Sequence, residues 1–231
     1  MIIQDPEFGK ITVRRSARAS QIRVRIAPDG NLRASLPLYT PMFLLKRMIK
    51  SSRTELRDML SKAQVTKEVY YDGMKIGKSH SLFTVQSDDD DPKVSRRGQK
   101  VIVSLPTGRN LNDPEIARQI RDNAIGALRI EARSYLPKRL AFLANRLGLT
   151  YDRVRFSHAS GRWGSCSSKG TISLNIALMK LPFELIDYVI IHELSHTKIM
   201  NHSSDFWELV AVADPDYKKH RRILKSENPS I

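Results

Sequence analysis

Val189 to Leu209 reads V-I-I-H-E-L-S-H-T-K-I-M-N-H-S-S-D-F-W-E-L, and the spacing of its histidines sets the expectations for the rest of the chain. On a helix, residues four apart lie about 40° from one another. His192 and His196 therefore point to one side, a turn apart, where two imidazoles can share one Zn²⁺ at ~2.0–2.1 Å. Glu193 stands next to the first of them, where a carboxylate can serve as general base without binding the metal itself. The bland alternative is a pair of surface histidines. Against it, Phe183, Ile186, Val189, Ile190 and Leu194 recur at helical spacing, which predicts a buried helix whose polar groups need partners. Pro182 suits its first position.

A catalytic zinc needs a third protein ligand and an open position. His202 is the expected third ligand, with Glu208, Asp214 and Asp216 as carboxylate rivals. A β-branched residue, Ile199, follows where a tight turn would want glycine. The helix is therefore expected to run on and to turn at Asn201 in the left-handed conformation. His202 would then precede a second helix capped by Ser203 or Ser204, with Asp205 in its first turn.

The chain of 231 residues is 41 % hydrophobic and 27 % charged, enough for a sizeable core. It contains no apolar run long enough to span a bilayer, and its start, M-I-I-Q-D-P-E-F-G-K, lacks signal-peptide design. The single cysteine, Cys166, excludes an internal disulfide and suits the cytoplasm. A formal charge of +15 and a pI near 10.1 predict attraction to polyanions. No helix-turn-helix, zinc-finger or ribonucleoprotein signature accompanies that charge.

Residues 9–36 alternate like strands, with Arg23 and Arg25 set between Ile22, Val24 and Ile26, and Pro28-Asp29-Gly30 as the turn of a hairpin. Arg14, Arg15 and Arg18 extend the basic surface, which is the expected site for an anionic partner, a nucleotide or a nucleic acid. Residues 41–62 show helical spacing as a single segment. Strands are expected around His80–Val85 and Lys100–Leu105, joined by an exposed acidic loop at Asp88–Asp91, with His80 structural. Asn112 or Asp113 caps a helix with Pro114 at its first position; Pro137 is expected to break or kink it, and Gly148 to end it. Residues 151–176 read as a β meander whose exposed edge could pair with an extended peptide. The composition change at 107–113 places the domain boundary there: residues 1–110 form a β-rich basic region with one helix, and residues 111–231 the catalytic domain.

Taken together, R-W-G-S-C-S, G-x-I-S-L-N, D-Y-V-I-I-H-E-L-S-H and N-H-S-S-D-F-W closely resemble the YgjP-like metallopeptidase family, and more distantly the SprT-like zinc proteases. The basic R-R-S-A-R-A-S-Q-I-R-V-R-I-A-P-D-G-N-L-R-A-S-L-P stretch matches as well. The resemblance implies an α+β fold, a zincin-like metallopeptidase domain with a small antiparallel sheet behind an N-terminal β-rich part. It implies His192, His196 and His202 as zinc ligands and Glu193 as base, acting on a peptide or protein substrate. Arg162, His158, Tyr188 and Tyr217 are open as stabilisers of the oxyanion, and Trp163 and Trp207 read as core or cleft wall. Three other classes stay open: a metal-dependent nucleotide pyrophosphatase, a nucleic-acid-associated protein with structural zinc, and a Cys166–His nucleophile pair.

Overall fold

The computed structural model describes residues 1–27, 30–65, 69–229 and 231. It divides into two compact units, Met1–Val69 and Tyr70–Ile231. The boundary therefore falls well before the 110/111 position that composition suggested. The physical reason is that the second group of strands shares its core with the long helix that follows, so Leu82, Val101 and Val103 belong to one cluster with Ile116, Ile120 and Leu128.

In the first unit β1 (Ile2–Asp5), β2 (Gly9–Arg15), β3 (Arg23–Ile26) and β4 (Leu32–Leu36) form one sheet in the order β1-β2-β4-β3. Pro28 and Asp29 of the expected turn lie outside the described residues, while the β3–β4 hairpin on either side of them is present as an antiparallel pair. Ile11, Val13, Leu32, Ala34 and Leu36 project from one face onto Leu45, Ile49 and Leu56. Those last three come from α1 (Met42–Ser51) and α2 (Arg53–Val65), two helices where one was expected, separated at Ser52.

The second unit opens with β5 (Ser81–Ser87), β6 (Lys93–Arg97) and β7 (Lys100–Pro106), ordered β5-β7-β6. The acidic segment is exposed as expected, with Asp89 paired to Lys93 at 2.7 Å, but it is not a hairpin loop. It carries the chain across to β6, a strand whose K-V-S-R-R composition hides it because it has a single apolar residue. Then α3 runs unbroken from Pro114 to Leu147 and ends at Gly148, whose φ of 62° is left-handed. Pro137 neither ends nor divides this helix. The carbonyl it leaves without a donor belongs to the exposed Arg133, which water can serve, while Leu136, Leu140 and Leu143 on either side are fully buried.

Next come β8 (Arg153–Ser157), β9 (Gly164–Cys166) and β10 (Thr171–Asn175), in the order β8-β10-β9. β10 runs parallel to β8 and antiparallel to β9, so this sheet is mixed and not the meander or small antiparallel sheet expected. A 3-10 turn at Ile176–Lys180 leads to α4 (Phe183–Ser195), α5 (Ser204–Ala213) and α6 (Tyr217–Ser226). The fold is α+β. Among the described residues no helix is long and apolar enough to cross a membrane.

Glu131 ties the β5 sheet's approach to α3. It is only 6 % exposed and accepts hydrogen bonds from the backbone N–H groups of Lys78 (2.6 Å), Ser79 (2.9 Å) and His80 (2.9 Å). The Ser79 hydroxyl donates at 2.9 Å, and His80 Nδ1 sits at 2.7 Å, which gives His80 the structural role expected of it. Gly77 permits this cage, because a Cβ there would lie 2.3 Å from Glu131 Oε2. Burial alone would push the Glu131 carboxyl up, but the bonds from His80, Ser79 and Lys78 outweigh it and hold it below its ordinary 4.5. A depressed carboxylate contributes its stability above the unfolded value and loses it as pH falls through the folded one. Glu131→Gln is therefore expected to lower unfolding free energy by about 2–3 kcal/mol at neutral pH. That deficit should shrink as urea titrations are moved down towards pH 3. An equal deficit at both ends of the series would contradict this account.

Candidate active site

α4 is apolar around most of its circumference. Leu185, Ile186, Val189, Ile190, Ile191 and Leu194 are all nearly or fully buried, so the helix is enclosed by its neighbours. Pro182 precedes it as N-cap, one place before the expected position. Phe183 does not join the buried face: it is 50 % exposed and lies under the Lys78 ammonium at 4.3 Å. The helix ends at Ser195, with His196 closing it in a right-handed conformation. Asn201 does not turn left-handed, since among the described residues no non-glycine residue has positive φ. Turns over 196–198 carry the chain off the end of the helix, and the Asn201 side chain instead accepts from the Ser203 N–H at 3.3 Å. Ser203 occupies the N-cap position of α5, though its hydroxyl makes no capping hydrogen bond, and His202 stands just before it.

This path brings His192, His196 and His202 together, with one ring nitrogen of each within 4.8 Å of the others. His192 Nε2 and His202 Nε2 are 3.2 Å apart. Two donors ~2.0–2.1 Å from a tetrahedral ion would stand roughly 3.3 Å apart, so the pair is spaced for a shared cation. His196 Nδ1 lies 3.0 Å from the Ile199 carbonyl. A carbonyl only accepts, so Nδ1 carries the hydrogen and Nε2 keeps a free lone pair. His192 Nδ1 is buried and has no hydrogen-bond partner among the described residues. Its ring is held by packing, against Phe206 at 5.0 Å and Trp207 at 5.8 Å. Phe206, fully buried, also stacks on His196 at 4.5 Å and meets His202 at 4.8 Å, which makes it the common floor of the three rings.

The electrostatics favour neutral imidazoles. Burial, then His196, His202 and Arg221, push His192 down to about 3. His202 is lowered by burial, His196 and Arg221. Glu193 is 6 % exposed, and burial pushes its carboxyl up to about 8, with Arg162 opposing. A divalent cation at the histidines acts in the same sense as Arg162. Of the carboxylate rivals, Glu208 and Asp216 are exposed and outside the histidine cluster, and Asp214 is engaged with His220 Nδ1 at 2.7 Å.

A cleft of about 260 Å³ opens beside the histidines, lined by Trp163, Gly164, Tyr188, His192, Glu193 and Arg221 among others. Tyr188 is 5 % exposed, and burial raises its hydroxyl to about 12. Arg221 lies over Trp207 at 4.6 Å. Tyr217 stacks on Trp207 at 5.5 Å, while Arg162 is exposed and reaches Glu193 through its field. His158 does not line the cleft. The Cys166 thiol is pushed up by burial and by Glu193, which leaves it a poor nucleophile.

The family model of the YgjP-like metallopeptidase domain matches residues 20–227. The chain belongs to the YgjP-like metallopeptidase family. Members of that family are hydrolases of the metallopeptidase kind, and the chain is read as one. No curated protein matches it. Among solved structures it is similar to the metallopeptidase zymogen abylysin of Pyrococcus abyssi, at 30 % identity and a TM-score of 0.36 over 41 % of this chain and 98 % of that one. It is also similar to the zymogen jannalysin of Methanocaldococcus jannaschii, at 21 % identity and a TM-score of 0.35 over 38 % of this chain and 93 % of that one.

Gly164, Phe206 and Arg221 are the site residues that spacing did not single out. Gly164 sits inside R-W-G-S-C, and a Cβ there would come 2.6 Å from Glu193 Oε1 and 2.7 Å from its Cγ. Gly164→Ala is therefore expected to displace the Glu193 side chain or strand β9, costing about 1–3 kcal/mol of stability by overpacking. Val189→Ala, at the same cleft, serves as a comparison that opens space instead. A melting temperature for Gly164→Ala equal to that of the parent would show that the contact relaxes freely.

Proposed function

We propose that this metallopeptidase-family chain is a zinc peptidase. His192, His196 and His202 would hold the metal and Glu193 would act as general base. The observation that carries the reading is the convergence of three histidine ring nitrogens beside a buried glutamate at the wall of a cleft. Three imidazoles suit zinc, and three protein ligands leave the fourth position open. When bound there, zinc lowers the pKa of water towards ~7 and polarises a carbonyl.

The remaining steps belong to the chain. Glu193 takes the proton of the attacking water and delivers it to the leaving amine. Tyr188, whose hydroxyl stays protonated at neutral pH, donates towards the developing oxyanion and is favoured over Tyr217, His158 and Arg162 by its place in the cleft. β9 is an edge strand beside Glu193, and an extended peptide would pair with its free backbone groups. The fold would then be of the zincin type, and the lone free Cys166 fits a cytoplasmic setting. A second reading, a nucleotide pyrophosphatase, draws on Arg221 and Lys225 at the cleft.

Each single change His192→Ala, His196→Ala and His202→Ala is expected to abolish stoichiometric zinc by metal analysis, while Glu208→Ala keeps it. Full zinc in His202→Ala would require another third ligand. Glu193→Gln should retain zinc and fold while turnover of casein falls by at least ~10²–10⁴-fold. Parallel assay on a panel of nucleoside triphosphates separates the two readings: hydrolysis of nucleotides that depends on Glu193, with casein untouched, would overturn the peptidase.

A further inference from the structure

The outer face of the N-terminal sheet, opposite α1 and α2, displays Lys10 and Arg14 on β2, Arg33 on β4, and Arg23 and Arg25 on β3, all exposed. They alternate with the buried Ile11, Val13, Leu32 and Ala34, so the pleat sends them away from the helices. The register arranges them in rows. Thr12, Arg33 and Arg25 are successive partners across β2, β4 and β3, and Arg14, Ser35 and Arg23 make the next row. Arg33 and Arg25 are thus directly opposed, an arrangement that costs stability unless an anion lies over it.

Among the described residues of this unit, the carboxylates that could neutralise this face are elsewhere. Asp5 and Glu7 are taken by Arg53 and Arg57, and Glu55 and Asp58 lie on α2. Among the described residues none of the five cations is in an ion pair. Arg15, expected to share the patch, turns back instead to the backbone carbonyls of Pro37 and Leu38.

We propose that this sheet face binds duplex DNA through its phosphate backbone. Arginine, lysine and the hydroxyls of Thr12 and Ser35 are phosphate-contacting groups. The face has no aromatic side chain, whereas single-strand binders stack bases on aromatics. Duplex RNA is read largely through its 2′-hydroxyls across a wide minor groove, and against these the face sets only two side chains that can accept as well as donate, Thr12 and Ser35. A protein partner would want an apolar centre, and among the described residues the only large apolar side chain on this face is Ile2 at the sheet edge. This inference stands independently of the hydrolase reading.

The test is anisotropy of a labelled random-sequence DNA duplex with the full chain, between about 50 and about 200 mM salt. Each phosphate contact contributes about −0.9 to the slope of log K against log salt. The variant Lys10→Gln/Arg14→Gln/Arg25→Gln/Arg33→Gln should be shallower by about 3.6, so that about a hundredfold of the salt-driven loss of affinity disappears. Arg14→Lys/Arg25→Lys/Arg33→Lys, which keeps the charge, should keep the slope. Removing as many exposed cations elsewhere, as Arg118→Gln/Arg133→Gln/Lys138→Gln/Lys169→Gln, should leave it almost unchanged. Equal loss in the two Gln sets would reduce the effect to net charge and overturn the proposal. So would an unaltered slope in the first set, loss of the slope in the lysine set, or tighter binding of single-stranded DNA, duplex RNA or polyglutamate than of the DNA duplex.

Discussion

A helix that is apolar almost all the way round cannot rest on a surface; α4 must be enclosed, and the second unit is arranged to enclose it. α3 packs along it, β9 and β10 cover another side, and α5 and α6 close the rest. The polar groups it carries inward, His192, Glu193 and His196, are thereby removed from water. That desolvation pushes the His192 imidazole down and raises the glutamate. The chemical character of the site thus follows from the burial of the helix that bears it.

The chain on either side of α4 serves the same end by contact. Gly164 lets β9 approach the glutamate, and Phe206 fills the space beneath three rings that few hydrogen bonds hold. Neither contact changes what the metal motif looks like in sequence. Each changes where its atoms stand, which is what a metal and a reacting carbonyl would sense.

Much of the site was legible because it rests on local periodicity. His192 and His196 come together by helical spacing alone, and His202 returns after one short connection capped by Ser203. What escaped depends on distant partners. The parallel pairing of β8 with β10 cannot be read from either strand, and β6 has too few apolar residues to announce itself. The compact units divide at residue 69 while composition changes near residue 110, and the difference has the same origin: Leu82 and Val103 pack on α3 beyond that change. Pro137 misled because the rule against proline weighs one lost backbone bond, and here Leu136, Leu140 and Leu143 around it are fully buried and hold the helix by packing. Asn201 misled because the turn at 196–198 leads out of the helix without any residue of positive φ.

The three sheets share one plan that no sequence repeat reveals. In each, β2-β4-β3, β5-β7-β6 and β8-β10-β9, the last strand of the trio in chain order occupies the middle, parallel to the first and antiparallel to the second. The first strand of every trio therefore has no partner in the trio until the third has been made. During synthesis it must wait as an open edge while the chain completes a hairpin elsewhere, and only that finished hairpin can receive it. For the last trio this places a strict order on assembly: the wall beside Glu193 cannot form ahead of β10, so the cleft is a late product of folding.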